Sequence, residues 1–401
     1  MAPEKSVEQF VTERDGREGT VLSWASLLED NTREQAEMIS RAAVVEGHVA
    51  LMPDAHLGMG ACVGSAIKTR GGILPSAVGV DIGCGMRAVQ TDLSAESLDR
   101  AARGRIIGRF RDWIPAGVGQ GREPGSPLDK TYRAWQRFKK EFGQAPGADQ
   151  RILARSATQF GTLGSGNHFA EVSSDAGGAV WLVVHSGSRG PGNMLAQKHI
   201  NAAKEWGKAN GEKPENKDLY PLIEGTDEFD AYIADMLWAQ SFALWQRRAM
   251  MDRMLEAVAE EAEYAILDDI DCHHNYSEKQ SDGSWLSRKG AIDASEGVKG
   301  VIPGSMGALS YIVAGKGNLD SYNTAPHGAG RLKSRGAARR ELDIDEFKAQ
   351  MGDRVWQDRD AKYLIDEAPG AYKPIDVVME DAKDLVEAKY ELTQFINFKG
   401  L

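Results

Sequence analysis

The sequence predicts a mixed α/β fold in a single compact domain, with sheets flanked by helices around a deep central cleft. Its 401 residues are 42% hydrophobic and 27% charged, which is ordinary for a globular chain that buries a large core. Segments with the spacing of strands alternate with segments of helical spacing. Three stretches concentrate the glycines and predict tight turns or a close approach of backbone to a ligand: 57–90, 161–192 and 297–336.

Two helices and two strands are the elements on which this fold class rests. Residues 229–262 carry Trp, Leu and Met at helical intervals, which predicts a long helix packed on the core. Residues 32–47 have helical spacing, with Thr32 as the predicted N-cap. Two apolar runs, 179–188 (AVWLVVHSGS) and 265–276 (AILDDIDCHHNY), predict strands that end in polar residues suited to a site.

No proline- or serine-rich linker divides the chain, so we expect one domain over residues 1–401. An excursion over 110–155 is predicted to be mobile, because residues 116–129 (AGVGQGREPGSPLD) are rich in glycine and proline. The stretch 130–140 (KTYRAWQRFKK) is typical either of a solvated amphipathic helix or of a basic surface that follows a phosphate backbone, with aromatic rings for base stacking.

Charge and cysteine content limit the function classes. The formal net charge of −11 argues against sequence-independent adhesion to nucleic acid, but it leaves room for a local basic groove. Three cysteines cannot form a disulfide framework in a chain of this length. The N-terminus lacks the apolar region of a signal peptide, and no apolar run approaches the ~20 residues that cross a bilayer. We therefore expect a cytoplasmic protein with no membrane partner.

Candidate metal ligands lie in the glycine-rich stretches. Asp81 and Cys84 stand three residues apart in VGVDIGCGMR, and histidines follow in GTLGSGNHFAEV, VVHSGSRGPGN and CHHNY. A carboxylate, a thiolate and several imidazoles are the donors that a divalent transition metal requires. On donor softness alone this set favours zinc, and the residues do not decide between one ion and two.

A second group of candidates concerns phosphate. The chain has no Walker loop and no dinucleotide-binding fingerprint, but residues 300–311 and 327–331 offer small residues whose N–H groups can bind anions. His327 stands at the start of the second loop, with cations following in RLKSRGAARR, residues 331–340. Small neighbours would let a phosphate approach the His327 ring, and the cations could follow a phosphate backbone.

Nine short motifs follow one another from Met52 to Gly400: MPDAHLGMGACVGSAI, VGVDIGCGMR, GTLGSGNHFAE, HSGSRG, CHHNY, RKGAI, IPGSMGALSYIV, HGAGR and FKG. In this order they resemble the motifs of the RtcB family of RNA-splicing ligases, bacterial type. The resemblance implies an enzyme that joins an RNA 3′-phosphate or 2′,3′-cyclic phosphate to a 5′-hydroxyl. It further implies GTP, a pair of Mn²⁺ ions, and roles in RNA repair and tRNA splicing.

The same resemblance implies a role for each matching residue. His327 would be the nucleophile that becomes guanylylated, and Arg189 and Arg331 would bind RNA or phosphate. The implied metal ligands are Asp81, Cys84, His168, His185 and His274, with Cys84 as the bridge and His273 as a structural neighbour. The implied GTP-binding residues are Asn167, His168, Phe169, Ala170, Glu171, His274, Asn275, Pro303, Gly304, Ser305, Met306, Ser310, His327, Gly328, Ala329, Gly330 and Lys399.

Three points stay open at this stage: the metal, the reaction and the need for a partner protein. Manganese contradicts the softness argument for zinc, and we follow the resemblance because metal availability and site geometry override intrinsic affinity. The alternatives to a ligase are a metal-dependent RNA end-processing enzyme with little sealing activity, and a scaffold without catalysis. The residues also do not reveal whether an activating partner protein is needed.

Overall fold

Two curved β-sheets carry most of the structure, a computed structural model that describes residues 7–122 and 129–401. The predicted mixed α/β class is confirmed, and the described parts pack as one compact unit. The strands are β1 Glu8–Arg14, β2 Arg17–Ser23, β3 Val45–His56, β4 Val63–Thr69, β5 Gly72–Ile73, β6 Gly85–Ser94, β7 Phe169–Ser174, β8 Ala179–Ser186, β9 Leu222–Ile223, β10 Ile266–His273, β11 Asn275–Lys279, β12 Trp285–Lys289, β13 Ala291–Asp293, β14 Lys299–Pro303, β15 Ser310–Gly315, β16 Thr324–Pro326 and β17 Val386–Lys399.

Helices cover the outer faces of these sheets, joined by short 3-10 turns. Within the described residues, no helix is both long and apolar enough to cross a lipid bilayer. The helices are α1 Asp30–Ser40, α2 Pro75–Val78, α3 Arg100–Trp113, α4 Lys130–Phe142, α5 Gln150–Gln159, α6 Arg189–Ala209, α7 Asp227–Ala259, α8 Arg335–Glu341, α9 Ile344–Met351, α10 Ala361–Leu364 and α11 Ile375–Asp381.

The larger sheet has the order β10-β6-β8-β7-β17-β15-β14 and curls until its two edge strands, β10 and β14, come near each other. Because side chains alternate between the faces of a strand, this sheet has an inner and an outer apolar layer. Trp181 and Val183 of β8 belong to the inner layer, with Ile270 of β10 and Val301 of β14. The outer layer packs against α3 and α7.

The smaller sheet has the order β1-β2-β3-β4-β12-β11 and lies beside the larger one. A two-stranded ribbon of β13 and β16 connects the two, because β16 also packs on β3. Pro326 ends β16 opposite Ala291, at a position where proline's missing N–H is tolerated. Because β16 ends at Pro326, the ribbon places His327 between the two sheets.

Three of the four elements predicted from periodicity are confirmed: α7 matches residues 229–262, β8 matches 179–188, and β10 runs into β11 within 265–276. The helix predicted over 32–47 was wrong in its bounds. It begins at Asp30 after Glu29, which makes no side-chain cap, and it ends at Ser40. Residues from Val45 onward are already strand β3, because their apolar side chains are buried in the smaller sheet.

The predicted excursion over 110–155 contains two helices, α4 and α5. Phe138 of α4 is fully buried, and its ring lies 5.6 Å from the rings of both Trp238 and Phe242 on α7. The basic stretch 130–140 is thus a helix, as predicted, but its rings Trp135 and Phe138 pack into the protein instead of facing a ligand. The mobility of 110–155 and a single domain over 1–401 stay predictions, and residues 1–6 and 123–128 of these ranges lie outside the described residues.

Replacing Phe138 with alanine should destabilise the protein by about 3–5 kcal/mol, since it leaves a cavity between α4 and α7. Lys140→Ala, at an exposed position two residues later on the same helix, should change stability by less than about 0.5 kcal/mol. Urea unfolding followed by far-UV circular dichroism measures both. Equal stability of the two variants would show that α4 does not unfold together with the core.

Candidate active site

A cavity of about 350 Å³ opens at one end of the curled sheet. β7 and β15 begin at this end, and β8, β14 and β17 finish at it, so residues far apart in sequence meet there. Most of the predicted site residues line the cavity: Asp81, Cys84, Asn167, Phe169, Glu171, His185, His274, Asn275, Pro303, Gly304, Ser305, Met306, His327, Gly328, Ala329, Gly330, Arg331 and Lys399.

The predicted metal ligands form one buried chain of contacts centred on a thiol. The Sγ of Cys84 lies 3.4 Å from the Nε2 atoms of both His168 and His185. On one side, His168 Nε2 lies 3.1 Å from an Asp81 carboxylate oxygen. On the other side, the Nε2 atoms of His185 and His274 are 2.9 Å apart. Five donor atoms from separate parts of the sequence therefore converge.

The hydrogen bonds of the rings determine which nitrogen carries a lone pair. His168 Nδ1 contacts the carbonyl oxygen of Leu163 at 3.0 Å, and His185 Nδ1 contacts that of Asn167 at 3.1 Å. Because a carbonyl only accepts, both Nδ1 atoms must be the protonated ones. Both Nε2 atoms then direct lone pairs at Cys84, which is the arrangement of imidazoles that ligate a metal.

Burial favours the uncharged forms of His185, His274 and Cys84. It lowers the pKa values of His185 and His274 far below the ordinary histidine range. Burial, reinforced by the Asp81 carboxylate, raises the pKa of the Cys84 thiol well above its usual value. Asp81 also keeps one buried carboxylate oxygen without a hydrogen-bond partner among the described residues. Neutral imidazoles and a thiol, beside a carboxylate oxygen that lacks a partner, fit a divalent metal ion.

His327 is held by a carboxylate that the sequence did not single out. Oδ2 of Asp54, which is fully buried in β3, accepts hydrogen bonds from His327 Nδ1 at 2.7 Å, His327 N at 3.1 Å and Gly328 N at 3.3 Å. In the neutral ring, Nε2 is therefore the nitrogen with a lone pair. The signal for Asp54 was available, since an acidic residue interrupts the apolar run ALMPDAH.

Two further contacts keep the Asp54 strand against the His327 loop. Lys373 Nζ donates to the carbonyl oxygens of Pro53 at 3.0 Å and Ala55 at 2.7 Å, and its own backbone N–H donates to Gly330. Gly330 adopts φ +73°, and a Cβ there would collide with the Asp54 carbonyl oxygen. A larger residue would separate the loop from the carboxylate.

A buried carboxylate, Glu367, gathers the cations on one wall. It accepts from Lys399 Nζ at 3.1 Å and from the Tyr372 hydroxyl at 2.7 Å, and it pairs with Arg331 and Arg335. Burial would raise the pKa of Glu367, but Lys399 and Arg335 outweigh it and hold the value at about 2. Glu367 and Tyr372 escaped the sequence analysis because neither stands near a glycine-rich motif.

Glu171 lies on the inner face of β7 and, unlike Glu367, has a raised pKa. One of its oxygens accepts from Asn397 Nδ2 at 2.5 Å, and the other is buried with no partner among the described residues. Burial raises its pKa to about 8, against a smaller opposing effect of Lys399. An oxygen with spare hydrogen-bonding capacity thus faces the cavity, as a ligand with N–H donors requires.

Four predicted residues lie away from the cavity surface. His168 stands behind it in the Cys84 cluster, and the Ala170 side chain points into the outer apolar layer of the sheet. The hydroxyl of Ser310 is buried without a partner in the described structure. Arg189 is largely buried, with Nε 3.5 Å from the Thr162 hydroxyl and its charge near Asp81. His273, expected to be structural, contacts Gly83 O and Arg247 instead of the cluster.

Comparison with known proteins assigns the chain to a family. The model of the family described as tRNA-splicing ligase RtcB matches residues 35–400. The chain belongs to the RtcB family. As the sequence motifs implied, it is therefore an RNA ligase.

Curated relatives span bacteria, archaea and eukaryotes. The RNA-splicing ligase RtcB of Escherichia coli K12 is 37% identical over 395 residues, covering 93% of this chain and 95% of the relative. The tRNA-splicing ligase RtcB of Thermococcus kodakarensis is 30% identical, covering 88% and 87%. The RNA-splicing ligase RtcB homolog 1 of Entamoeba dispar is 29% identical, covering 90% and 81%.

Metal binding at the Cys84 cluster should release protons, because a thiol with a raised pKa must ionise to ligate. Affinity for a divalent metal ion should therefore rise with pH, and Cys84→Ser should weaken binding by at least about tenfold. Isothermal titration calorimetry in buffers of different ionisation enthalpy measures both effects. Cys272→Ser, which removes a thiol outside the cluster, serves as the control, and unchanged binding in Cys84→Ser would refute the assignment.

Proposed function

We propose that this RNA ligase joins RNA 3′-phosphate or 2′,3′-cyclic phosphate ends to 5′-hydroxyl ends, using GTP and Mn²⁺ through a guanylylated His327. The observation that carries the proposal is the pairing of His327 Nδ1 with buried Asp54 inside the cavity that also holds the Cys84 cluster. One nucleophilic nitrogen and a set of metal donors thus share a cavity large enough for a nucleotide.

Asp81, Cys84, His168, His185 and His274 would hold the metal ions, since their donor atoms converge around the Cys84 sulfur. Bound there, the ions would neutralise phosphate charge and stabilise the leaving group. Cysteine with histidine suits zinc by softness, and the manganese assignment comes from the family resemblance.

His327 would act through Nε2. This nitrogen forms a bond to the α-phosphorus of GTP while the bond to the bridging oxygen breaks and pyrophosphate leaves. Asp54 holds the proton on Nδ1 and stabilises the positive charge that develops on the ring. Gly290 lies beside the ring, where a Cβ would collide with Val63 and stand 3.0 Å from His327 Cε1.

Glu171 would select guanine. Its unpartnered oxygen and its neighbour can accept from the N1 and N2 donors of guanine, which adenine lacks. Since the carboxyl has a pKa of about 8, ligand binding must release its proton before both oxygens can accept. Lys399, Asn167 and the loop 327–330 line the same cavity and would complete the nucleotide site.

The RNA ends would react in two further transfers. The RNA 3′-phosphate attacks the phosphorus held by His327, which frees the histidine and leaves the RNA end activated by GMP. The 5′-hydroxyl then attacks that end, and GMP departs. A cyclic end would first be opened by water. Arg331 lines the cavity, and Arg189 lies near Asp81. The positive charges of both side chains would attract the RNA phosphates.

Incubation with GTP and Mn²⁺ should add one GMP to the intact protein, and the adduct should be labile to acid. His327→Ala should abolish the adduct, because the imidazole that Asp54 orients is lost. Intact-protein mass spectrometry detects the adduct, with His48→Ala, a histidine outside the cavity, as control. An adduct that persists in His327→Ala would contradict the assignment of His327 as the nucleophile. An adduct without sealing of RNA ends would favour the end-processing enzyme.

Glu171→Gln should lower kcat/KM for GTP by at least about tenfold, because an amide replaces a charged acceptor of two hydrogen bonds. Discrimination against ATP should shrink in parallel.

In the wild type, the KM for GTP should fall as pH rises toward about 8, the pKa of Glu171, since only the ionised carboxylate can accept two hydrogen bonds. The variant should lose that dependence. Steady-state guanylylation across pH measures both, and an unchanged GTP preference would exclude Glu171 from base recognition.

A further inference from the structure

The basic stretch of α4 has no part in the active site, yet three of its five cations share one surface. Lys130, Arg133 and Arg137 are exposed at intervals of three and four residues, which places them along one side of the helix. That side borders an open depression whose other wall is α7, where Arg248 is exposed. We call this depression the α4–α7 groove.

The groove is locally positive on an acidic protein. Five basic side chains line it (Arg87, Lys130, Arg133, Arg137 and Arg248), against two acidic ones, Asp252 and Glu256. Ion pairs with Asp269 and Glu256 engage Arg87 and Lys130. Arg137 and Arg248 remain exposed on facing helices. The whole chain carries −11, so a polyanion would find this groove far more favourable than the average surface.

Aromatic side chains form part of the same lining. Trp245 and Tyr264 are half-buried in the groove. One side of Trp245 packs edge-on against Phe138 and Phe142, with ring centroids 6.3 and 6.2 Å apart, which holds the indole in place. Guanidinium groups beside a fixed indole are the combination that binds single-stranded nucleic acid without reading its sequence.

Strand alternation separates the groove from the active site. Cys84 precedes β6 on the inner side of the curled sheet, followed by Met86 and Ala88 in the inner apolar layer. Arg87 points to the other side, toward α7. On α7, buried Arg247 donates to Gly83 O beneath the metal cluster, whereas its neighbour Arg248 faces the groove. The groove is thus a second surface on the outer face of the same sheet.

We propose that the α4–α7 groove binds the sugar–phosphate backbone of the RNA substrate at a distance from the ends being joined. The inference rests on the proposed RNA-joining function, which supplies the polyanion. Arginines on two helices, with a half-buried indole in the same lining, favour RNA over an acidic protein surface, which would not need the aromatic ring. Such contacts add affinity for long RNAs and none for the reacting ends.

The test is the double variant Arg137→Ala/Arg248→Ala, which removes two exposed cations from the groove. Its affinity for a single strand of about 40 nucleotides should fall about tenfold, and the slope of log affinity against log salt should shrink by about 1.4. Affinity for a strand of about 6 nucleotides with a 3′-phosphate should be unchanged, because it occupies only the cavity. Guanylylation of His327 should proceed at the wild-type rate. Fluorescence anisotropy measures the binding.

Lys213→Ala/Lys217→Ala is the matched control, since it removes the same charge from exposed positions outside the groove. If the groove variant binds long RNA with the same affinity and the same salt slope as this control, the proposal is overturned. Loss of binding to an acidic protein, with RNA binding unchanged, would overturn it in the same way. If long-RNA binding falls as expected but the wild type seals no ends, the groove stands and the proposed function fails. If the wild type seals ends and the groove variant binds long RNA normally, the proposed function stands and the groove proposal fails.

Discussion

The alternation of side chains along the curled seven-stranded sheet is the constraint on which the site depends. Every second side chain of a strand points to the inner face of the sheet. On that face the apolar layer is followed, at one end of the sheet, by the cavity residues Phe169, Glu171 and His185. The side chains on the outer face pack on α3 and α7. A shift of one residue in the pairing of β7 with β8 would bury these three cavity-lining residues in the outer layer and expose apolar groups in the cavity.

Three buried carboxylates near the cavity differ in how they are satisfied, and the differences suit three tasks. Asp54 accepts three N–H groups and holds a ring in place. Glu367 is surrounded by cations and keeps Lys399, Arg331 and Arg335 together on one wall. Glu171 retains an oxygen without a partner in the described structure. Asp54 Oδ1 is also buried without such a partner, but of these two carboxylates only Glu171 lines the cavity, where a ligand can reach its oxygen.

The Cys84 cluster likewise contains a buried oxygen, on Asp81, that has no hydrogen-bond partner among the described residues. Carbonyl oxygens fix the tautomers of His168 and His185 so that lone pairs converge on one thiol. Arg247, fully buried beneath them, donates to Gly83 O and Ser186 O and holds the loops that present Asp81 and Cys84 to the neighbouring strand. These hydrogen bonds fix the orientation of the donor groups, which reduces the reorganisation that metal binding requires.

The sequence by itself determined the fold class, the donor types and the motifs, because glycine-rich turns and metal donors are local signals that need no partner. It also predicted α7 and β8 from periodicity. Only the tertiary structure decided what depends on distant contacts. It ended α1 at Ser40, since the following residues are buried in a sheet, and it turned Trp135 inward while leaving Arg137 outside. It also brought Asp54 to His327 across 273 positions, a pairing that no local pattern encodes.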